Sequence, residues 1–144
     1  MSLYNASYFV HIIGIVLWMG SFVSFWFLLR TAVKQDSYEG IGNAIRKNVN
    51  VVIIPATILI VVSGSYMIMQ FNRDTMPLYL SLMEMGGTMV ILLSIIALSI
   101  LSRKISKAID GAKKIALYSY YRTTLLLSSI LGAAVVFIVA LRLS

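Results

Sequence analysis

The hydrophobic positions of this chain neither alternate nor recur as a helical stripe. They run together in four blocks, residues 8–29, 49–71, 78–101 and 123–141, each nearly free of charge. A helix needs roughly 20 consecutive apolar residues to cross a bilayer, and every block meets that length. The pattern predicts an all-α protein: an antiparallel four-helix transmembrane bundle formed by a single integral membrane domain over residues 1–144. The six-residue connection 72–77 is short enough to make the second and third spans a hairpin. Gly40 and Gly42 should break the first connection into two short helical extensions. Pro55 lacks a backbone N–H, so a kink is expected one turn below it in the second span.

The polar stretches between the blocks orient the bundle. The first connection holds Arg30, Lys34, Arg46 and Lys47 against Asp36 and Glu39. The third, 102–122, holds Arg103, Lys104, Lys107, Lys113, Lys114 and Arg122 against Asp110. The opposite side has only Arg73 and Arg142. Ten cations against two place both basic connections in the cytoplasm and both termini outside. Tyr4 and Tyr8 at one boundary and Trp26 near the other match the aromatic belts of membrane proteins. The first block lacks a basic leader and is too long for a signal-peptide core, so it reads as a retained span.

Composition agrees. The chain is 60% hydrophobic and 12% charged, against roughly 25% charged for an average soluble domain, and its mean hydropathy is +0.92. A net charge of +7 would point to nucleic acid in a soluble protein. Between membrane spans it sets topology and meets anionic lipid headgroups instead. There is no cysteine, which excludes disulfides, thiolate metal sites, iron–sulfur clusters, cysteine nucleophiles and covalent c-type haem. One histidine and one carboxylate within the spans cannot supply the three or four ligands of a zinc site.

Those two ionisable residues, His11 and Glu84, are the candidates for function, because such groups are costly inside a bilayer. At 1.5 Å per residue, His11 lies roughly 5 Å and Glu84 roughly 9 Å below the outer boundary. They are placed to meet, with Glu84 fixing the imidazole tautomer; alternatively each is satisfied separately, and Arg142 neutralises Glu84. On the first span, His11, Gly14, Ile15, Trp18, Phe22 and Phe25 share one face. Gly14 leaves room beside the imidazole, and Trp18 and Phe22 offer flat apolar walls, as a planar haem requires. The same spacing equally serves helix packing. Methionines form a second pattern. Met67, Met69, Met76, Met83, Met85 and Met89 crowd the outer side, with Met85 and Met89 one turn apart. Thioethers suit copper(I), although methionine is also a common apolar filler. Gly20 with Ser24, and Ser128 with Gly132, read as close-packing seams, and Gly86 and Gly87 permit close approach to the third span.

The segment HIIGIVLWMG, His11 to Gly20, resembles the first helix of two related bacterial membrane protein types, the HemJ-type protoporphyrinogen oxidases and the CopD-type copper-resistance domains. PATILIVVSG, Pro55 to Gly64, is similar to the second helix of the HemJ type, and the four-helix layout agrees over nearly the whole chain. The resemblance implies a bacterial inner membrane location and a haem-binding role for His11, with Trp18 as the matching tryptophan. The third helix departs from both patterns: LSLMEMGG offers Glu84 where a lysine is expected, and LSRKISK lacks the histidines expected near its end.

Three functions are therefore open. One is b-type haem bound by His11, with Gly14, Trp18 and Phe22 lining the pocket and Glu84 as a supporting group or proton relay. Another is copper(I) bound or transported by His11, Met67, Met83, Met85 and Met89. The third is a non-catalytic accessory subunit or lipid-interacting scaffold, with a homo-oligomer or a membrane partner as its assembly.

Overall fold

A computed structural model describes residues 2–34 and 40–141. Among them the chain forms four long helices: α1 (Leu3–Lys34), α2 (Ile41–Ile68), α3 (Leu78–Lys107) and α4 (Gly111–Ala140). A short 3₁₀ turn, Arg73–Thr75, lies in the α2–α3 connection. All four helices are long and apolar enough to cross a membrane. Their outward faces are apolar as well, with Val16 and Phe27 on α1, Val62 on α2, Leu93 on α3 and Phe137 on α4 all exposed. Surfaces of that kind belong against lipid rather than water.

Local chemistry sets the ends. Gly40 adopts φ +76° as it opens α2, a left-handed conformation that costs glycine little. Ile41 then resumes the helix, so the first connection breaks at Gly40, while Gly42 lies inside α2. Asn72 caps the 3₁₀ turn by accepting a hydrogen bond from the Asp74 N–H, and Asp110 caps α4 through the Ala112 N–H, both at 3.2 Å. The basic stretch 102–122 is not a long loop. α3 runs on to Lys107 and α4 begins at Gly111, so the turn is short and most of the cations stand on helical extensions. At 1.5 Å per residue, 30-residue helices are about 45 Å long, well beyond the roughly 30 Å of hydrocarbon. Asp36, Glu39 and Arg142 lie outside the described residues.

Two helices are widened locally. Val49–Ile53 of α2 is a π turn on the N-terminal side of Pro55. The proline cannot donate to the carbonyl one turn back, and the wider turn is the form its expected kink takes. Met83–Gly87 of α3 is a second π turn, containing Glu84.

Specific contacts fix the register. His11 and Gly14 of α1 meet Ile60 of α2, while Ser21 meets Asn48, so the residue numbers run in opposite directions. On the other side Ser94 donates to Ser128 at 2.8 Å, and Gly86 and Gly87 pack against Val135. Trp18 of α1 packs on Gly132 of α4. The bundle is thus antiparallel, with α1 between α2 and α4, and α3 against α4. Helices α2 and α3 come together mainly toward the basic end, where Gly42 faces Ile105. Of the two small-residue pairs, Ser128 and Gly132 form a buried seam. Gly20 and Ser24 do not: both are exposed, and nothing lies within 4 Å of a Cβ built on Gly20.

Candidate functional site

The hairpin end of the bundle encloses a cavity of about 720 Å³. It is walled by the first half of α1, the last half of α2, the first half of α3 and the end of α4. Small-molecule sites commonly span about 300–1,000 Å³, so this is a site-sized space in a small bundle.

His11 is its most constrained polar group. The side chain is 7% exposed. Its Nδ1 lies 3.0 Å from the Ile60 carbonyl oxygen and 3.1 Å from Ser63 Oγ. A carbonyl only accepts, so Nδ1 carries the proton and donates. The Ser63 hydroxyl in turn donates to the Leu59 carbonyl, leaving its oxygen free to accept from the imidazole. The neutral ring is therefore the Nδ1–H tautomer, with its lone pair on Nε2. Among the described residues Nε2 has no hydrogen-bond partner, and His11 lines the cavity. A ring held through Nδ1–H by a backbone carbonyl, which leaves Nε2 for a ligand, is an arrangement that metal-ligating histidines share.

The imidazole fits because of Gly64. A Cβ there would stand 3.0 Å from His11 Cε1. Ile60, Ser63 and Gly64 thus make the seat that α2 provides. Reasoning from the sequence missed this seat. Its signal is Ser63-Gly64-Ser65, the small polar run in the apolar outer half of that helix.

The other expected residues divide. Trp18, 3% exposed, lines the inner part of the cavity and packs tilted against Phe22, with ring centroids 4.2 Å apart. Phe22 is fully buried in the core and does not reach the cavity, because about three helical turns separate it from His11. Gly14 does not open space beside the imidazole. A Cβ at Gly14 would meet Ile60 Cγ1 at 2.7 Å and the Ala56 carbonyl at 3.3 Å, so its missing side chain is filled by α2.

Glu84 lines the same cavity but does not bond to His11. It accepts a hydrogen bond from Arg73 Nη2 at 3.1 Å, and the pair is exposed at the rim. The tautomer-fixing role expected of Glu84 falls to Ile60 and Ser63. Met67 is buried and lines the cavity with Met83, and so do Met19 and Met69. Met85 and Met89, 74% and 64% exposed, point away from it. They do share a face, but that face lies on the outside of the bundle.

The donor set is one imidazole, thioethers and a rim ion pair around an apolar space. Among the described residues no three His, Asp or Glu side chains come together, so a hard-ligand metal centre has no framework here. The residues present thus offer one imidazole nitrogen among apolar walls, and Met67 and Met83 line the same cavity as that imidazole. Compared with protein-family models, curated proteins and solved structures, the chain matches none.

Proposed function

We propose that this membrane protein binds b-type haem in the hairpin-end cavity, with His11 Nε2 as the axial ligand. The observation that carries the reading is the Nδ1–H bond to the Ile60 carbonyl, which leaves the Nε2 lone pair of this cavity-lining imidazole for a ligand. Met67, Met83 and Trp18 supply apolar walls, Gly64 leaves the ring its place, and Arg73 at the rim offers a cation to acidic groups of the ligand. When bound, haem supplies one-electron chemistry. The protein's own contribution is to orient the ligand nitrogen, hold its tautomer and exclude water from the inner wall. The likeness of the first helix to HemJ and CopD types in an inner membrane belongs to this reading.

The test is an absorption spectrum of detergent-purified protein after haemin supplementation. A Soret band shifted from that of free haemin and lost in His11→Ala is the expected result. Absence of the band in the wild type, or its persistence unchanged in the variant, overturns the reading. Copper(I) is the second reading, favoured by Met67 and Met83 lining the same cavity. It expects copper retained by the wild type and lost in Met67→Leu with Met83→Leu, while Met85→Leu with Met89→Leu keeps it.

A further inference from the structure

At the hairpin end the cavity is not closed off between α2 and α3. Helices α2 and α3 meet near the basic end and share few contacts beyond it, yet both line the cavity at the hairpin end. Two of the lining residues, Val61 on α2 and Thr88 on α3, are exposed on the flank of the bundle. The other pairs of neighbouring helices, α1 with α2, α1 with α4 and α3 with α4, are closed by close contacts. The π turn Met83–Gly87 lies in the wall of this gap, where backbone widening often marks a functional place. At its rim stands Arg73, the only lysine or arginine among the described residues lining the cavity, paired with Glu84 and 76% exposed.

We infer that the cavity takes its ligand sideways from the bilayer, between α2 and α3, and that the ligand is an amphiphile with an apolar body and an acidic group held by Arg73. The gap lies between two lipid-facing helices, so a molecule dissolved in the membrane reaches the cavity without crossing water. Apolar side chains form most of the wall, while the cation sits at the rim, where a carboxylate stays hydrated. The inference rests on the same cavity as the haem reading, but its test does not use His11 as a ligand.

The protein has two tryptophans, so Trp26→Phe leaves Trp18, on the cavity wall, as the sole tryptophan, excited apart from the tyrosines at the red edge. Reconstituted in phosphatidylcholine vesicles, this variant is titrated with dibrominated stearic acid and with its methyl ester, bromine being a contact quencher. The acid should quench Trp18 at lower membrane content than the ester. Adding Arg73→Gln should weaken the acid about threefold, the size of one exposed charge pair, and leave the ester unchanged. Adding Val61→Phe with Thr88→Phe should close the gap and reduce quenching by both; Val61→Leu with Thr88→Leu replaces that pair if helicity is lost. His11→Ala should abolish any Soret band, while in that background Arg73→Gln still weakens the acid and not the ester, which separates failure of the haem reading from failure of this one. Equal quenching by acid and ester, or quenching unaffected by the filled gap, overturns the inference.

Discussion

The two ends of the bundle are built differently. The largest fully buried side chains, Phe22, Leu29, Ile45, Ile53, Leu98, Ile105, Tyr118, Tyr121 and Leu125, all lie in the basic half. The hairpin half, of similar helix content, has a cavity on its axis instead. In lipid, helices associate through packing rather than through escape from water. The basic end therefore holds the bundle together, and the hairpin end is free to diverge around a ligand. The charged residues follow the same division. Among the described residues the cations of the basic end outnumber its one acid, Asp110, whereas Arg73, Asp74 and Glu84 at the other end are nearly balanced.

The comparison is broken most directly by matched truncations on one helix. Leu98 and Ile91 are two turns apart on α3, Leu98 fully enclosed and Ile91 on the cavity wall. Lipid is as apolar as the bundle interior, so the transfer part of a truncation falls away and the cavity part remains. For Leu98→Ala that part is about 2 kcal/mol. Ile91→Ala should cost less than half as much, because one side of it already faces space. Unfolding in a graded detergent titration measures both, and equal losses would mean that the two ends do not differ in packing. Gly14→Ala comes next, at about 1.5 kcal/mol of overpacking. Its Cβ would meet Ile60 Cγ1 at 2.7 Å, and the Ala56 backbone oxygen behind it cannot move aside.

Much of this division was legible in the sequence. Four apolar blocks and a six-residue connection define the bundle, and the cations of the connections mark the end where the large side chains pack. The face holding His11, Ile15 and Trp18 does reach the cavity. What could not be read was the partner of each group. Helical spacing assigns a face but not the neighbour it meets, so Gly14 was credited with room that Ile60 occupies, and Phe22 with a wall that ends above it. Depth brings Glu84 level with His11 but does not decide between that pairing and a separate partner. Depth ignores Arg73, which the 3₁₀ turn carries back over α3. The outward turn of Met85 and Met89 follows the π turn just before Thr88, which no residue pattern announces.

Within the hairpin end, the comparison is sharpened by taking the histidine's two acceptors separately. Ser63→Ala removes one, while the Ile60 carbonyl keeps the Nδ1 proton in place. Stability should fall by about 1 kcal/mol, the net worth of one ordinary hydrogen bond. Haemin affinity should fall by about tenfold, as when a group orienting a ligand is lost. An unchanged affinity in an equilibrium spectral titration would show that the backbone carbonyl alone orients the ring.

The smallest effect belongs to the ion pair at the rim. Glu84→Gln leaves Arg73 without its carboxylate, but Arg73 is 76% exposed and Glu84 29%. An exposed pair of this kind contributes under about 1 kcal/mol and is screened by salt. The variant should therefore unfold almost as the wild type does, and the small difference should shrink further in high salt. Its binding behaviour should change in the opposite direction. Freed of Glu84, Arg73 meets an acidic ligand without a competing carboxylate, so the dibrominated acid should quench Trp18 at lower membrane content than in the parent. A hairpin end whose rim pair matters little for stability but limits acid binding is a ligand doorway. A Glu84→Gln protein that unfolds readily and gains no affinity would make the pair a structural tie, and the hairpin end a second, weaker version of the packed one.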